Sequence, residues 1–509
     1  MEKGRTHYAI KNSLYSSVAQ LISLTIKFLM QTIFIRTLGA TYLGINGLFT
    51  NVLTVLSFAE LGIGSVIVYS LYRPVAENDI PLINGYMDFY KKAYRIIGSM
   101  VAVLGLILLP FIPYLIHGKV ISHIYIIYLC YLINSVSSYF LNYKRGILTA
   151  SQKDYVNIVN QVSFQIVQFV IQFLVLVYLK NFILYLVVQI LCTVTSNITI
   201  TKKINKVFPF LLLNNSEPLN DEKIKKLKGN ILEIFGSRVG GIVLNSTDNI
   251  IISSFIGVIF VGKYSNYALV ATGIQSLLNK LVSATTPSIG NFIINGDIES
   301  VEKLLKKHFF INYTLAVFSA TLLIVNFQPF VAIWAGKSYL LSFLTVVILV
   351  ANFYLYQVRQ TATTFLFAFG IFRFQGIKSI IEALTNIFIS IVLIKLGWGI
   401  NGVLTGTLLT TILISSWWEN RQIFHYGFKK SVKSFLIKQY LFIILGVLII
   451  GMVYTITSFV LIGGLTGIIV RSIIAILILC ILFTGLFWRN EEFNYLMYLI
   501  YRVLKSVKK

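Results

Sequence analysis

The chain alternates between long apolar segments and short polar connections along its whole length. We place the apolar segments at 8–36, 42–72, 86–116, 121–142, 155–179, 182–201, 229–257, 264–290, 308–334, 339–369, 375–394, 400–420, 439–459 and 465–488. About 20 apolar residues in a helix are enough to cross the hydrocarbon core of a bilayer. Since lipid offers no partners to backbone N–H and C=O groups, segments of this length predict helices. The pattern therefore predicts an all-α integral membrane protein with about fourteen transmembrane helices.

The basic residues are distributed unevenly between the connections. When successive connections are assigned to alternate sides, 32 of the 43 Lys and Arg residues fall on one side and six on the other. The basic side is the cytoplasmic one by the positive-inside rule, so we expect a multi-pass cell-membrane protein with both termini in the cytoplasm. The other five basic residues lie inside apolar segments, where a cation is costly and commonly functional. These are Lys27, Arg238, Lys280, Arg359 and Arg471.

The composition excludes a soluble protein. Hydrophobic residues make up 57% of the chain, charged residues 12%, and the mean hydropathy is +0.81. A net charge of +25 would suggest nucleic-acid binding in a soluble protein, but here the cations lie on short inner connections facing anionic lipid. We expect no nucleic-acid partner. The three cysteines are too widely spaced to predict a metal site, and we expect no metal and no cofactor.

Matching features recur at an offset of 218 residues. Leu38-Gly39, four residues and Gly44 join the first two segments, and Ile256-Gly257, four residues and Gly262 join the seventh and eighth. This predicts two parallel six-helix lobes with a cleft between them. The corresponding domains are an N-lobe at 1–205, a cytoplasmic linker at 206–228, a C-lobe at 229–424, and two further helices with a tail at 425–509. The apolar spacing of the tail predicts a helix on the inner membrane face, and a solvated tail is the alternative.

Polar side chains recur at helical spacing on several segments. Amides on one helical face would be unpaired in lipid, so they should face protein or water. Interhelical hydrogen bonding is one interpretation, and a solvated cavity is the other. The candidate cavity residues are Gln20, Gln31, Gln161, Gln165, Gln168, Asn245 and Asn352.

Taken together, the Gly-x4-Gly junctions, the segment SFAELGIGSVI at 57–67 and the run LNSTDNIIISSFIGVIFVGKYSNY at 244–267 resemble a known family. They are similar to Wzx-type polysaccharide flippases of the multidrug/oligosaccharidyl-lipid/polysaccharide superfamily, which also contains the MATE transporters. The resemblance covers nearly the whole chain. It implies two MATE-like six-helix lobes around a cavity, with two added C-terminal helices.

The implied substrate is an undecaprenyl-pyrophosphate-linked oligosaccharide, moved from the inner to the outer leaflet for surface polysaccharide or capsule synthesis. Pyrophosphate requires fixed cations, and Arg can bind it bidentately. The candidate ligands are Lys27, Arg238, Arg359, Lys280 and Lys378. A structural ion pair or snorkelling is the alternative for each. The expected partners of this monomer are the lipid-linked substrate, the bilayer, and the polymerase and other assembly proteins.

The sequence contains no G-x4-GK-[ST] loop, so ATP hydrolysis by this chain is not expected. An ion gradient or the membrane potential would then supply the energy. The candidate coupling acids are Glu60, Glu233, Asp248 and Glu382. The sequence does not decide between proton coupling, sodium coupling and no coupling.

Three alternatives to a flippase remain from the sequence. A MATE-type multidrug or cation antiporter would share the architecture but favour an acidic, aromatic cavity. A polysaccharide polymerase or ligase would have a sizeable outer loop, whereas every outer connection here has only a few residues. A membrane glycosyltransferase would need a metal-binding pair of carboxylates on a soluble face. We therefore predict a transporter without enzymatic activity.

Overall fold

A computed structural model describes residues 2–60, 62–117, 121–212, 218–371 and 375–507, and within these ranges the secondary structure is helical, without β-strands. The chain divides into two compact units, Met1–Gly262 and Lys263–Lys509. The helices that begin in the first unit are α1 (Glu2–Thr37), α2 (Gly39–Leu56), α3 (Ile63–Glu77), α4 (Ile80–Leu108), α5 (Ile112–Leu115), α6 (Ile124–Asn142), α7 (Arg145–Ala150), α8 (Asp154–Leu174), α9 (Phe182–Val207), α10 (Asp221–Phe255) and α11 (Val258–Ser283). Those of the second are α12 (Thr286–Asn295), α13 (Ile298–Trp334), α14 (Phe343–Phe369), α15 (Gln375–Leu393), α16 (Gly399–Thr410), α17 (Ser416–Gln422), α18 (Lys433–Ser458), α19 (Gly464–Phe487) and α20 (Glu491–Val507).

Nine helical stretches in the described ranges are long and apolar enough to cross a membrane. Local breaks account for part of the difference from fourteen predicted segments. The predicted segment 42–72 is divided between α2 and α3 by a 3₁₀ turn at Ser57–Glu60, after which Gly62 has φ 92°. Conversely, the predicted segments 375–394 and 400–420 join into one helical run with a kink at Gly397, where φ is 87°. Glycine adopts positive φ at little cost, so both breaks coincide with glycine.

In the first unit, α6 packs against α4 and α9, and α8 packs against α1 and α9. Aromatic residues fill the contact between the end of α1 and the start of α9, where Phe34 meets Phe182 and Tyr185 edge to face. The outer surface of α8 carries exposed apolar residues such as Ile166 and Val170. This distribution is expected of helices with one face on protein and one on lipid.

In the second unit, α13 is the central helix and contacts α14, α18, α19 and α20. Its buried rings Phe310 and Tyr313 pack against Phe442 of α18 and Phe487 of α19. The two C-terminal apolar helices are thus fixed to the unit by an aromatic cluster, each ring of which buries a large apolar area.

The tail forms the predicted helix, α20. Its Phe493 is buried and lies against Phe310, whereas Met497, Tyr498, Ile500 and Tyr501 are exposed. An exposed apolar face on an amphipathic helix is suited to a membrane surface. The location of this helix on the inner membrane face stays a prediction.

Candidate functional site

The first unit contains a cavity of about 1030 Å³. Of the 25 described residues that line it, three are aliphatic: Leu53, Val68 and Ile158. The others are glycines, tyrosines, hydroxyl and amide residues, two acids and one arginine. A cavity this polar is unusual among apolar helices, because polar groups in hydrocarbon must face protein or water. The lining residues used below are Thr54, Glu60, Gly64, Tyr72, Tyr90, Tyr94, Tyr131, Asn134, Tyr139, Arg145, Gly146, Asp154, Asn157, Gln161 and Gln189.

Glu60 lies at the break between α2 and α3, where the 3₁₀ turn brings its carboxylate to the cavity wall. The hydroxyl of Tyr94 donates to Glu60 Oε1 at 2.7 Å, and the hydroxyl of Tyr90 donates to that of Tyr94 at 3.3 Å. Gly64 makes room for these hydroxyls, since a Cβ atom there would lie 2.9 Å from Tyr90 Oη. The carboxylate therefore accepts a hydrogen bond from a neutral donor of α4, Tyr94, which in turn accepts one from Tyr90.

Arg145, at the start of α7, braces three helices. Its Nη2 donates to Asn160 Oδ1 of α8 at 3.1 Å and to Asn197 Oδ1 of α9 at 2.9 Å. Among the described residues, no carboxylate forms an ion pair with it. Asp154, the other acid of the wall, instead accepts hydrogen bonds from Thr149 and Asn157. The wall therefore presents mainly neutral hydrogen-bonding groups.

The predicted glutamines on α8 have three different surroundings. Gln161 lines the cavity. Gln165 accepts a hydrogen bond of 2.7 Å from Ser23 of α1, which is an interhelical contact. Gln168 donates to Gln172 of the same helix at 3.2 Å.

Asn352, another predicted cavity residue, forms a contact between helices instead. Its amide, in α14, donates to the Leu404 carbonyl of α16 at 2.9 Å.

The second unit contains a buried cluster of two cations and two carboxylates. Arg359 Nη2 lies 2.6 Å from Glu419 Oε1, and Arg359 Nη1 lies 3.8 Å from Glu382 Oε1. Lys378 Nζ lies 2.6 Å from Glu382 Oε2 and 3.2 Å from Glu419 Oε1. Ser415 also donates to Glu382. Each charge has opposite charges beside it, so the formal charge of the cluster is zero. We name these four residues the charge cluster.

The remaining predicted residues do not join either group. Lys27 and Lys280 are exposed, and Gln20 and Gln31 are half-buried. Asp248 is half-buried near the end of α10. The side chains of Glu233, Arg238 and Asn245 lie outside the part of the structure that is described.

Sequence reasoning missed Glu419 and Arg145. Glu419 follows two tryptophans at the end of the predicted segment 400–420 and was not among the predicted acids. Arg145 was counted with an inner connection, although it lies at the cavity wall. A charged residue within one turn of an apolar segment was the available signal in both places.

The two Gly-x4-Gly junctions contact each other inside the first unit. A methyl group on Gly44 would overlap the carbonyl oxygen of Val258, and one on Gly262 would overlap the carbonyl oxygen of Ala40. The contact is reciprocal, because equivalent positions of the two junctions exchange roles. This is the relation that a two-fold axis between the junctions would produce, and it requires glycine on both sides.

Part of this chain matches a known protein family. Residues 9–292 match the family described as "Polysaccharide biosynthesis protein". The chain belongs to this family. The match confirms the resemblance seen in the sequence. A comparison with curated proteins finds no match.

Solved structures show the fold. The chain is similar to the lipid II flippase MurJ in an inward closed conformation, with 16% identity, a TM-score of 0.67, and 94% of this chain and 99% of that chain covered. It is also similar to an inward-facing multidrug resistance MATE family transporter of the MOP superfamily, with 17% identity, a TM-score of 0.60, and coverage of 78% and 94%. For a Vibrio cholerae MATE transporter, VcmN, the corresponding values are 12%, 0.55, 84% and 99%. The protein is a multi-pass membrane protein with a MATE- and MurJ-like fold.

Proposed function

We propose that the protein is a flippase that moves an undecaprenyl-pyrophosphate-linked oligosaccharide from the inner to the outer leaflet of the cytoplasmic membrane. The observation that carries this proposal is the polysaccharide biosynthesis match over residues 9–292, on a fold shared with a lipid-linked substrate flippase. About fourteen transmembrane helices, six in each of two pseudo-symmetric lobes and two at the C-terminal end outside the repeat, belong to the same proposal. Transport would proceed by alternating access, with each lobe moving as a body.

The extent of the shared fold favours the flippase over the multidrug antiporter. The MurJ match covers 94% of this chain, and the residues outside it are too few to contain both α18 and α19. The matches to the two MATE structures leave 22% and 16% of this chain outside them. The fold of this chain thus extends beyond the part that it shares with those MATE transporters.

One observation favours the antiporter. The cavity of the first unit carries Glu60 among tyrosines, the chemistry that would attract a cation. Lipophilic cations, however, also favour aliphatic walls, and three of the 25 described lining residues are aliphatic. The cavity is therefore better suited to a polar ligand than to a lipophilic cation.

The candidate pyrophosphate ligands differ in their present surroundings. Arg359 and Lys378 are paired with carboxylates in the charge cluster and would have to leave them to bind an anion. Lys27 and Lys280 are exposed and can reach a charged headgroup without breaking such a pair. We therefore propose Lys27 and Lys280 as the first contacts of the pyrophosphate, with Arg359 and Lys378 available only after rearrangement of the cluster. Arg238 is retained as a proposed ligand because it is a cation inside an apolar segment of the sequence.

Replacing Arg238 with alanine is expected to abolish polysaccharide export while the amount of protein in the membrane stays unchanged. Losing one ligand of a desolvated pyrophosphate should cost about 2–5 kcal/mol of binding. Arg238→Lys should restore export only in part, since lysine lacks the bidentate fork. The matched control is Lys395→Ala, which removes an exposed cation beyond α15. Normal export by Arg238→Ala would remove this residue from the proposed site.

Coupling to an ion gradient is proposed through the predicted acids. Glu60 lies at the cavity wall with a neutral hydrogen-bond donor, whereas Glu382 is held by Lys378 and Ser415. Proton or sodium binding at Glu60 would therefore not require an ion pair to break. Glu233 and Asp248 remain candidates from the sequence.

The proposed orientation places both termini in the cytoplasm. In a variant without native cysteines, Lys337→Cys should react with an impermeant maleimide added to intact cells, and Ser431→Cys should react only after the membrane is opened. Both positions are exposed, so access to the reagent depends on the side of the membrane. The reverse labelling pattern would overturn the orientation.

Expression in a strain that lacks its own polysaccharide flippase tests the function. We expect surface polysaccharide to be restored, provided that the strain makes the cognate repeat unit. If the protein instead raises resistance to cationic drugs and restores no polysaccharide under these conditions, the antiporter is the correct function.

A further inference from the structure

We propose that the cavity of the first unit is the binding site for the sugar part of the transported substrate, as an uncharged, polar saccharide chain. The inference rests on the proposed function and assigns the glycan to this cavity, whereas the proposed pyrophosphate contacts Lys27 and Lys280 are not among its described lining residues. The observation that supports it is one cavity wall that combines tyrosine rings, amides and a hydrogen-bonded carboxylate.

The size of the cavity suits an oligosaccharide. Its volume of about 1030 Å³ lies at the upper end of the range found for small-molecule sites, which is about 300–1,000 Å³. A single ion or a small anion would leave most of this space empty. A chain of several sugars would occupy it and would bring many hydroxyl groups to the wall.

The chemistry of the wall matches sugar hydroxyls and sugar faces. Asn134, Gln161 and Gln189 provide amides, each with both donor and acceptor atoms. Tyr72 is 47% exposed at the wall, so its ring offers an accessible face to the C–H surface of a pyranose. Oδ1 of Asn134 is buried without a hydrogen-bond partner among the described residues. Such an acceptor is costly unless a ligand hydroxyl or water pairs with it.

The same wall is poorly suited to the other two ligand classes. A pyrophosphate would meet one cation, Arg145, whose Nη2 binds side chains of α8 and α9 and whose Nε and Nη1 have no hydrogen-bond partner among the described residues. The two acids of the wall, Glu60 and Asp154, outnumber this cation and would repel a pyrophosphate. A lipophilic cation would find few aliphatic groups, and the acids Glu60 and Asp154 already accept hydrogen bonds from neutral donors. An uncharged polar ligand can form hydrogen bonds with the hydroxyl and amide groups of the wall and adds no charge that would need a counter-charge there.

Glycines maintain the shape of the wall. A Cβ atom at Gly146 would lie 2.8 Å from Tyr90 Cε1, and one at Gly64 would lie 2.9 Å from Tyr90 Oη. The ring of Tyr90 is therefore held between two positions without side chains. This fixes Tyr90 beside Tyr94, with their ring centroids 4.6 Å apart, and leaves the remaining volume for the ligand.

The test uses one filling variant, one polar-to-apolar variant and one matched control in the full-length protein. Thr54→Trp places a large ring at a cavity-lining position whose hydroxyl donates to its own helix. Gln161→Leu removes an amide from the wall at nearly constant size. The control is Thr455→Trp, because Thr455 is an exposed threonine whose hydroxyl also donates to its own helix, in α18 of the second unit.

The probe is the soluble glycan that mild acid releases from lipid-linked oligosaccharides accumulated in host cells lacking this protein. Binding to the purified protein would be measured by titration calorimetry, with inorganic pyrophosphate and tetraphenylphosphonium as competitors. We expect the wild type and Thr455→Trp to bind the glycan equally, Thr54→Trp to lose binding, and Gln161→Leu to bind about tenfold more weakly. Neither competitor should displace the glycan.

The outcomes separate this inference from the proposed function. If the host accumulates no lipid-linked glycan, or the protein restores no export, the proposed function fails. If export and glycan binding are normal in Thr54→Trp while that protein is folded, the cavity is not the sugar site and the inference fails. Displacement of the glycan by pyrophosphate or by the lipophilic cation would likewise overturn the assignment of ligand class.

Discussion

Glu419→Gln is expected to lower the stability of the protein by about 3–5 kcal/mol, because it leaves two buried cations with one carboxylate. Glu419 lies within 3.2 Å of Lys378 and within 2.6 Å of Arg359, and all three side chains are largely shielded from solvent. An unbalanced charge inside a membrane protein is also disfavoured by the surrounding lipid. The measurement is the unfolding temperature of the detergent-purified protein. It is determined from the loss of the monodisperse elution peak as the protein is heated.

Two further variants show whether charge balance is the cause. Glu299→Gln removes an exposed acid near the start of α13 and should leave the unfolding temperature unchanged. Lys378→Gln combined with Glu419→Gln removes one charge of each sign and should be more stable than Glu419→Gln alone. Equal stability of Glu419→Gln and the wild type would show that the cluster is not a source of stability.

Gly44→Ala and Gly262→Ala are each expected to abolish export. The added methyl group overlaps a backbone carbonyl oxygen of the opposing junction, which cannot rotate away as a side chain could. The helices α2 and α11 would have to separate, with a cost of about 1–3 kcal/mol or more for overpacking. Because both junctions are predicted at the outer face, we expect their separation to prevent the tight closure that alternating access requires there.

Gly451 and Gly485 provide the controls. Both lie within C-terminal helices, and neither has a neighbouring atom within 4 Å of an added Cβ. Alanine at these positions should leave export unchanged and favour the helix slightly, since glycine is a weaker helix former than alanine. If Gly44→Ala and Gly262→Ala export as well as Gly451→Ala, the junction contact is not needed for transport.

The apolar segments were enough to predict the class of fold. A helix that crosses a bilayer needs apolar side chains along most of its length, and this requirement is visible in the sequence. The equal spacing of Gly39–Gly44 and Gly257–Gly262 also predicted two related junctions, and the structure brings Gly44 and Gly262 into reciprocal contacts. Glycine at matched positions is informative because close backbone contact leaves few other choices.

The partners of the charged residues could not be predicted in the same way. Arg359 pairs with Glu419, 60 residues away on α17, and that distance is set by how α14 and α17 pack. A helical repeat orders residues on one helix but does not identify the helix that faces them. The glutamines of α8 show the same limit, because Gln161 and Gln165 share a polar stripe yet contact a cavity and a serine of α1, respectively.

Translocation of the lipid-linked oligosaccharide itself tests the flippase proposal most directly. Proteoliposomes would contain the purified protein and the host's lipid-linked oligosaccharide, labelled in its sugars, and impermeant periodate would be added outside. We predict that oxidation continues beyond the sugars of the outer leaflet until the inner pool is consumed, while a phospholipid with a periodate-sensitive glycerol headgroup stays protected inside. If oxidation stops at the outer leaflet, as in protein-free liposomes, or if the phospholipid is oxidised as fully as the glycan, the protein is not a flippase specific for lipid-linked oligosaccharide.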